Sequence, residues 1–190
     1  TVQPKNNTAY GQIVLTKYAR DQKANTTSAF QGVKFALQKY DTTNSTWVNY
    51  VAEGTSTAVA PTTNASGQIT IDNLPIGSYR LIEVDDSTNQ ANVSGAGYVL
   101  DNNTTYPFTV QLGNGTAGNE NKTYVVVNGI ATQNSNSITV DNPRPGIAKE
   151  ITAIARNTID TNGVNTVKTV ASKDIDIGDI VTYAITTDVP

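Results

Sequence analysis

Three polar residues, Lys17, Glu83 and Asn142, lie in segments that alternate like β-strands. Side chains alternate between the two faces of a strand, so each of the three points the same way as apolar neighbours two residues away. These neighbours are Ile13 and Leu15 for Lys17, Tyr79 and Leu81 for Glu83, and Ile138 and Val140 for Asn142. If those faces are the inward ones, a protein core contains an amine, a carboxylic acid and a carboxamide.

These three groups could form a covalent bond if they meet in that core. Burial lowers the pKa of a lysine and raises the pKa of a carboxyl group. A neutral Lys17 amine is a nucleophile and could attack the side-chain carbon of Asn142. Glu83 would polarise the amide carbonyl and move protons, and ammonia would leave. The product is an isopeptide bond between Lys17 and Asn142, with proximity supplying roughly 7–11 kcal/mol of the barrier.

Alternation by itself leaves an ordinary arrangement open for each residue. A lysine near a strand end can extend its ammonium group to solvent. Glu83 could be a solvated residue at a sheet edge. Asn142 could be a turn residue that precedes Pro143.

The elements that would hold these residues are short strands separated by polar turns. The chain is rich in Thr and Asn, which favour strands and turns respectively. No segment shows a convincing helical period, and 85–97 is expected to be a long polar loop. The pattern predicts an all-β fold, an Ig-like antiparallel β-sandwich. The predicted strands are Ile13–Tyr18, Val33–Tyr40, Trp47–Val51, Gln68–Ile71, Tyr79–Val84, Tyr106–Leu112, Thr123–Val127 and Ser137–Val140.

The sequence also suggests boundaries on either side of this sandwich. Residues 1–12 are polar and are expected to form an N-terminal arm, and the sandwich is expected to span 13–142. Residues 143–146 contain two prolines and a glycine and are expected to form a short linker. Residues 147–190 are too few for a sandwich core of their own, so we expect the first strands of a second, truncated Ig-like domain.

Composition excludes several function classes among the 190 residues. The chain has no His and no Cys, which excludes catalytic triads that need His, His-ligated zinc, and disulfides. A net charge of −3 argues against nucleic acid as a partner. No apolar run is long enough to insert into a membrane. The Asp- and Asn-rich loops do not fit the spacing of a calcium loop, so we expect no metal and no cofactor.

Several motifs, in this order, resemble the CnaB-type (prealbumin-like) domain of Gram-positive surface proteins and sortase-assembled pilins. The resemblance covers roughly residues 11–145, and its most specific part runs from Leu74 to Glu83, with the pattern Leu-Pro-x-Gly-x-Tyr-x-Leu-x-Glu. The other matching segments are Ile13–Lys17, Gly32–Leu37, Gly97-Tyr98 and Val140–Pro143. The resemblance implies that Lys17 and Asn142 are the crosslinked pair and that Glu83 promotes their bond.

The tail resembles the start of the second domain of pilin shaft subunits, with Lys149 at the place of that domain's first-strand lysine. Shaft pilins commonly carry a Tyr-Pro-Lys motif whose lysine is joined by sortase to the next subunit. Here Arg144 stands at roughly that place, and a guanidinium is too stably protonated to be a nucleophile. The intersubunit lysine is therefore elsewhere or absent. Lys149 is a candidate for it, and the alternative is the first-strand lysine of the second domain.

The resemblance implies a structural pilin of a Gram-positive surface pilus that supports adhesion. Its partners would be sortase and neighbouring pilin subunits, and its place would be extracellular, on a pilus anchored to the cell wall. The alternative is a tip or basal pilin, or an adhesin module, that binds host extracellular matrix or mucin. We do not expect an enzyme, because a bond formed once within the chain is not turnover.

Overall fold

The computed structural model describes residues 9–170 and 175–187. Residues 1–8 of the expected arm, and 171–174 and 188–190 of the expected second domain, lie outside the described residues. The described chain divides into two compact units, the first with strands β1–β10 and the second with β11–β13. No helix among these residues has the length and apolar character needed to cross a bilayer.

The first unit contains two β-sheets. In the four-stranded sheet, β1 (Tyr10–Asp21) lies beside β10 (Ser135–Arg144) on one side, and beside β2 (Thr26–Ala29) and β5 (Gln68–Pro75) on the other. The six-stranded sheet has the order β4-β3-β6-β7-β8-β9. Its strands are β3 (Phe35–Asp41), β4 (Thr46–Asn49), β6 (Gly77–Glu83), β7 (Thr105–Leu112), β8 (Thr123–Val127) and β9 (Ile130–Gln133). This confirms the predicted all-β sandwich.

The first and last strands of the sandwich are parallel, which differs from the expected purely antiparallel arrangement. Strands β1 and β10 pair in register from Gln12 opposite Ser135 to Asp21 opposite Arg144. Strand β10 also continues through Pro143 and Arg144, two residues expected in the linker. Proline is compatible with this position because β10 is an edge strand, so the missing N–H removes no hydrogen bond between inner strands.

The core lies between the two sheets and follows the alternation of the strands. Strand β1 buries every second residue from Gly11 to Ala19, and β10 does so from Ile138 to Asn142. Strand β5 buries Ile69 and Ile71, and the alternation then shifts by one residue to Leu74. The opposite wall of the core comes from the six-stranded sheet, where Tyr79 stacks on Phe108 with ring centroids 5.4 Å apart. The fully buried aliphatic and aromatic residues include Ile13, Leu15, Val33, Phe35, Leu37, Leu74, Tyr79, Leu81, Val110 and Val125.

A short helix occupies part of the segment that we expected to be a polar loop. Helix α1 (Ser87–Asn92) is followed by a 3₁₀ turn (Ser94–Ala96). Asp86 caps α1 by accepting hydrogen bonds from the backbone N–H groups of Thr88 and Asn89. The helix has only six residues and one buried side chain, Asn89, so the sequence carries no apolar period to reveal it.

The second unit is a three-stranded antiparallel sheet of order β12-β11-β13. It comprises β11 (Ile147–Ile159), β12 (Asn165–Thr169) and β13 (Ile180–Thr187). The sequence predicts strands at 147–155 and 179–187, near the positions of β11 and β13, and a polar loop between them, where β12 lies. Arg156 forms paired hydrogen bonds with Asp179 at 2.8 Å, which ties β11 to the start of β13.

Candidate crosslinking site

The two sheets bring Lys17, Glu83 and Asn142 to one place in the core. Lys17 lies on β1 and Asn142 on the adjacent β10, where Lys17 pairs with Val140 and Asn142 pairs with Ala19. The lysine and the asparagine are therefore diagonal neighbours on the inward face of one sheet. Glu83 is the last residue of β6 and reaches them from the opposite sheet.

The three side chains are in direct contact. Lys17 Nζ lies 2.5 Å from Asn142 Oδ1 and 2.5 Å from Glu83 Oε1. Asn142 Nδ2 donates to Glu83 Oε2 at 3.0 Å. The contact between Lys17 Nζ and Glu83 Oε1 is an ion pair whose two side chains are fully buried. One carboxyl group therefore touches both the amine and the amide nitrogen.

Burial makes this cluster chemically unusual. Lys17 and Asn142 are 0% exposed and Glu83 is 2% exposed. Burial lowers the pKa of Lys17 from its ordinary value of 10.5, although the negative charge of Glu83 acts in the opposite direction. The neutral form of the amine therefore costs less free energy to reach here than in a solvated lysine.

The surroundings of the cluster include residues that the sequence did not single out. The backbone N–H of Asp101 donates to Glu83 Oε2 at 3.3 Å, and Lys17 Nζ lies 6.0 Å from the centre of the Phe35 ring. Burial, with the carboxylates of Asp101 and Glu83 nearby, raises the pKa of Tyr106. The burial of Phe35 could have been expected, because it alternates with Val33 and Leu37 in a predicted strand, whereas its pairing with Glu83 between β3 and β6 carries no local signal. Asp101 comes from a loop and carries no such signal.

Gly67 allows its turn to approach the backbone of Lys17 closely. The N–H of Lys17 donates to the carbonyl oxygen of Gly67 at 2.7 Å, and the Lys17 carbonyl accepts from the N–H of Phe30 at 2.9 Å. Gly67 has a φ of +71°, and a Cβ added there would lie 2.4 Å from the Lys17 carbonyl oxygen. Only glycine fits this approach without displacing β1.

The arrangement suits attack of the Lys17 amine on the Asn142 amide, with Glu83 between the nucleophile and the leaving nitrogen. The contacts differ in one respect from the sequence-based expectation. Glu83 contacts the amide nitrogen, whereas the amide oxygen accepts from Lys17. In this geometry the carboxyl group is placed to carry a proton from the amine to the departing ammonia.

The two other candidate positions lie outside this cluster. Lys149 is an exposed residue of β11, and its Nζ lies 3.9 Å from the centre of the Tyr183 ring. Arg144 is exposed at the end of β10, and its guanidinium lies 6.0 Å from the centre of the Tyr98 ring. Within residues 9–170 and 175–187, no group of three acidic side chains is placed to hold a metal ion.

The sequence of residues 11–124 matches the SpaA prealbumin-like fold domain, a match that spans more than half of the chain. The chain belongs to the SpaA prealbumin-like domain family. Domains of this family are structural parts of proteins rather than enzymes. Comparison with curated proteins finds no match for the SpaA-family chain.

Solved structures similar to this SpaA-family chain include pilins of three Gram-positive genera. The major pilin SpaD of Corynebacterium diphtheriae is 19% identical, with a TM-score of 0.46, over 95% of this chain and 38% of SpaD. The minor pilin GBS52 of Streptococcus agalactiae is 21% identical, with a TM-score of 0.41, over 72% of this chain and 45% of GBS52.

The major pilin BcpA of Bacillus cereus is also 21% identical, with a TM-score of 0.39, over 75% of this chain and 31% of BcpA. The chain therefore spans less than half the length of each of these pilins. Scores and identities this low transfer no function from these proteins to the SpaA-family chain.

Proposed function

We propose that the chain is part of a pilin, a structural subunit of a Gram-positive surface pilus, and that Lys17 and Asn142 form an intramolecular isopeptide bond. The observation that carries this proposal is the buried contact of Lys17 Nζ with both Asn142 Oδ1 and Glu83 Oε1. Membership of the SpaA prealbumin-like family supports it. An amine, an acid and an amide are costly to bury, so their meeting needs a reason beyond packing.

The bond would form by transfer of the Asn142 acyl group to Lys17. Glu83 takes a proton from the Lys17 ammonium, and the neutral amine attacks Cγ of Asn142. The new bond joins Nζ to Cγ. Glu83 passes its proton to Nδ2 and takes a second proton from Nζ, so the bond from Cγ to Nδ2 breaks, ammonia leaves, and Glu83 ends protonated. The core excludes water, which strengthens the electrostatic help from Glu83. Because the protein consumes its own side chains, the reaction occurs once.

The intact mass of the denatured chain tests this proposal. We expect a mass lower than the calculated one by one ammonia, and a branched peptide containing Lys17 and Asn142 after proteolysis. Lys17→Arg keeps the positive charge but provides no nucleophile, so the full mass should return. Glu83→Ala should also restore the full mass, whereas Asp85→Asn, two residues away, should still lose ammonia. If the parent chain instead has its full calculated mass, no crosslink has formed, and Lys17 and Glu83 form only an ion pair.

The partners in this proposal are neighbouring pilin subunits and sortase, and the place is the extracellular surface, with the pilus anchored to the cell wall. Lys149 is proposed as the intersubunit lysine or as the first-strand lysine of the second domain. Its exposure favours access by another protein. The test is assembly of the full-length protein by sortase, with Lys149→Arg compared with Lys168→Arg on β12. Loss of polymers only for Lys149→Arg supports the intersubunit role, and polymers from both variants exclude it.

Adhesion to host matrix or mucin is the alternative for the same fold. A tip or basal pilin, or an adhesin module, would bind these ligands as an isolated fragment. Retention of the purified chain on immobilised collagen or mucin, without sortase-dependent assembly of the full-length protein, would favour this alternative over a shaft subunit.

A further inference from the structure

A cleft of about 550 Å³ lies in the first unit, apart from the Lys17 cluster. Its lining includes Tyr10 at the start of β1, Glu53 after β4, and Asp72 and Asn73 in β5. None of the residues that form the crosslinking cluster lines it. The volume lies within the range of pockets that hold small ligands, roughly 300–1,000 Å³.

The lining of the cleft includes a buried tyrosine whose hydroxyl has no hydrogen-bond partner among the described residues. Tyr50 lines the cleft and is 9% exposed. Its ring packs edge-on against Tyr79, with centroids 5.5 Å apart, so the ring is held in place. No described residue forms a hydrogen bond with the Tyr50 hydroxyl. The hydroxyl oxygen is also not completely enclosed by protein. The hydroxyl therefore opens into the cleft.

The charge of the lining is negative. Glu53 and Asp72 both line the cleft, and neither forms an ion pair with a described lysine or arginine. Gln12 Nε2 donates to Asp72 Oδ1, which orients that carboxylate. Lys39 contacts the Tyr50 ring at 5.9 Å but does not line the cleft. Among the lining residues that the structure describes, a ligand meets two carboxylates and no lysine or arginine.

We propose that this cleft binds an organic cation of the alkylammonium class, the group that a lysine side chain of a peptide carries. Glu53 and Asp72 supply the opposite charge. The ring of Tyr10, which is 41% exposed, supplies a face that attracts a cation, whereas the Tyr50 ring already has Lys39 Nζ 5.9 Å from its centre. The Tyr50 hydroxyl accepts a hydrogen bond from the ammonium group. The site is independent of the proposed crosslink and of a role in a pilus.

The test is a titration of the ¹⁵N-labelled full chain, followed by the backbone amide shifts of residues that line the cleft. The probe is a capped Gly-Lys-Gly peptide, and its matched partner contains norleucine, which has the same carbon chain without the ammonium. We expect saturable shifts with the lysine peptide, weakening as salt is added, and none with the norleucine peptide. A third titration with butylammonium distinguishes a free amine from a peptide side chain.

The variants separate the contributions of the lining. Glu53→Gln with Asp72→Asn should weaken binding at least about tenfold, and Tyr50→Phe about threefold. Asp85 follows the C-terminal end of β6 and does not line the cleft, so Asp85→Asn removes a negative charge and should leave binding unchanged. Equal binding of the norleucine peptide, or no shifts with the lysine peptide, would overturn the proposal. Shifts that survive in the doubly substituted variant would overturn it as well.

Discussion

At the scale of single residues, the decisive property of Lys17 is that folding removes water from its amine. The pKa of Lys17 is lowered by burial, so the unfolded chain holds this proton more tightly than the folded chain does. Unfolding therefore takes up a proton at any pH between the lowered pKa and the ordinary value of 10.5. Stability must rise with pH across that range wherever Lys17 remains a free amine.

This linkage can be measured in a variant that keeps the amine. In Asn142→Ala, which cannot form the crosslink, we expect the free energy of unfolding to increase as the pH rises toward 10.5, the ordinary pKa of lysine, with a slope of up to about 1.4 kcal/mol per pH unit. Urea unfolding measures it. Adding Lys17→Met to this variant should remove the slope. Identical slopes in the single and double variants would show that Lys17 does not carry the effect.

At the scale of elements, the close approach of the Gly67 turn to β1 positions Lys17. Gly67→Ala should destabilise the protein by about 2–4 kcal/mol, because it combines a left-handed backbone with a clash against the Lys17 carbonyl. Gly54 has a φ of +78° but nothing within 4 Å of an added Cβ. Gly54→Ala therefore reports the backbone cost alone, about 1–2 kcal/mol. Thermal unfolding of the two variants compares them, and equal losses would contradict a role for the clash.

The buried side chain of α1 is a second element-scale determinant. Asn89 accepts from the N–H of Lys34 and donates to the carbonyl oxygens of Lys34 and Val84, so it joins α1 to the start of β3 and the end of β6. Asn89→Ala should cost about 2–3 kcal/mol in chemical unfolding, since buried backbone groups lose their partner. Gln90→Ala, on an exposed residue of the same helix, should cost less than about 0.5 kcal/mol. Similar losses in both would mean that Asn89 is not the link.

The sequence predicts elements well where one face is apolar and the other polar. Strand β8 has the predicted bounds, and alternation placed the side chains of Lys17, Glu83 and Asn142 on buried faces. Strands β2, β9 and β12 are exposed along their described length, so no apolar face marks them. The parallel pairing of β1 with β10 depends on contacts between residues more than a hundred positions apart, which local patterns do not encode.

At the scale of the whole molecule, the proposed bond would enclose most of the first unit in a covalent loop. Lys17 and Asn142 are 125 positions apart. When the chain is pulled from its ends by force spectroscopy, the loop cannot extend. The Lys17→Arg variant, which cannot form the bond, should therefore extend by about 400 Å more than the parent chain on complete unfolding. Equal extensions would show that the parent has no crosslink.

The parallel order of β1 and β10 has a mechanical consequence of its own. The chain enters the first unit at the Tyr10 end of this strand pair and leaves it at the opposite, Arg144 end. Tension along the chain is then directed along the strands and loads the ladder between them in shear. Neighbouring antiparallel strands would place entry and exit at the same end, where hydrogen bonds peel apart one after another. The topology thus resists stretching independently of the proposed crosslink.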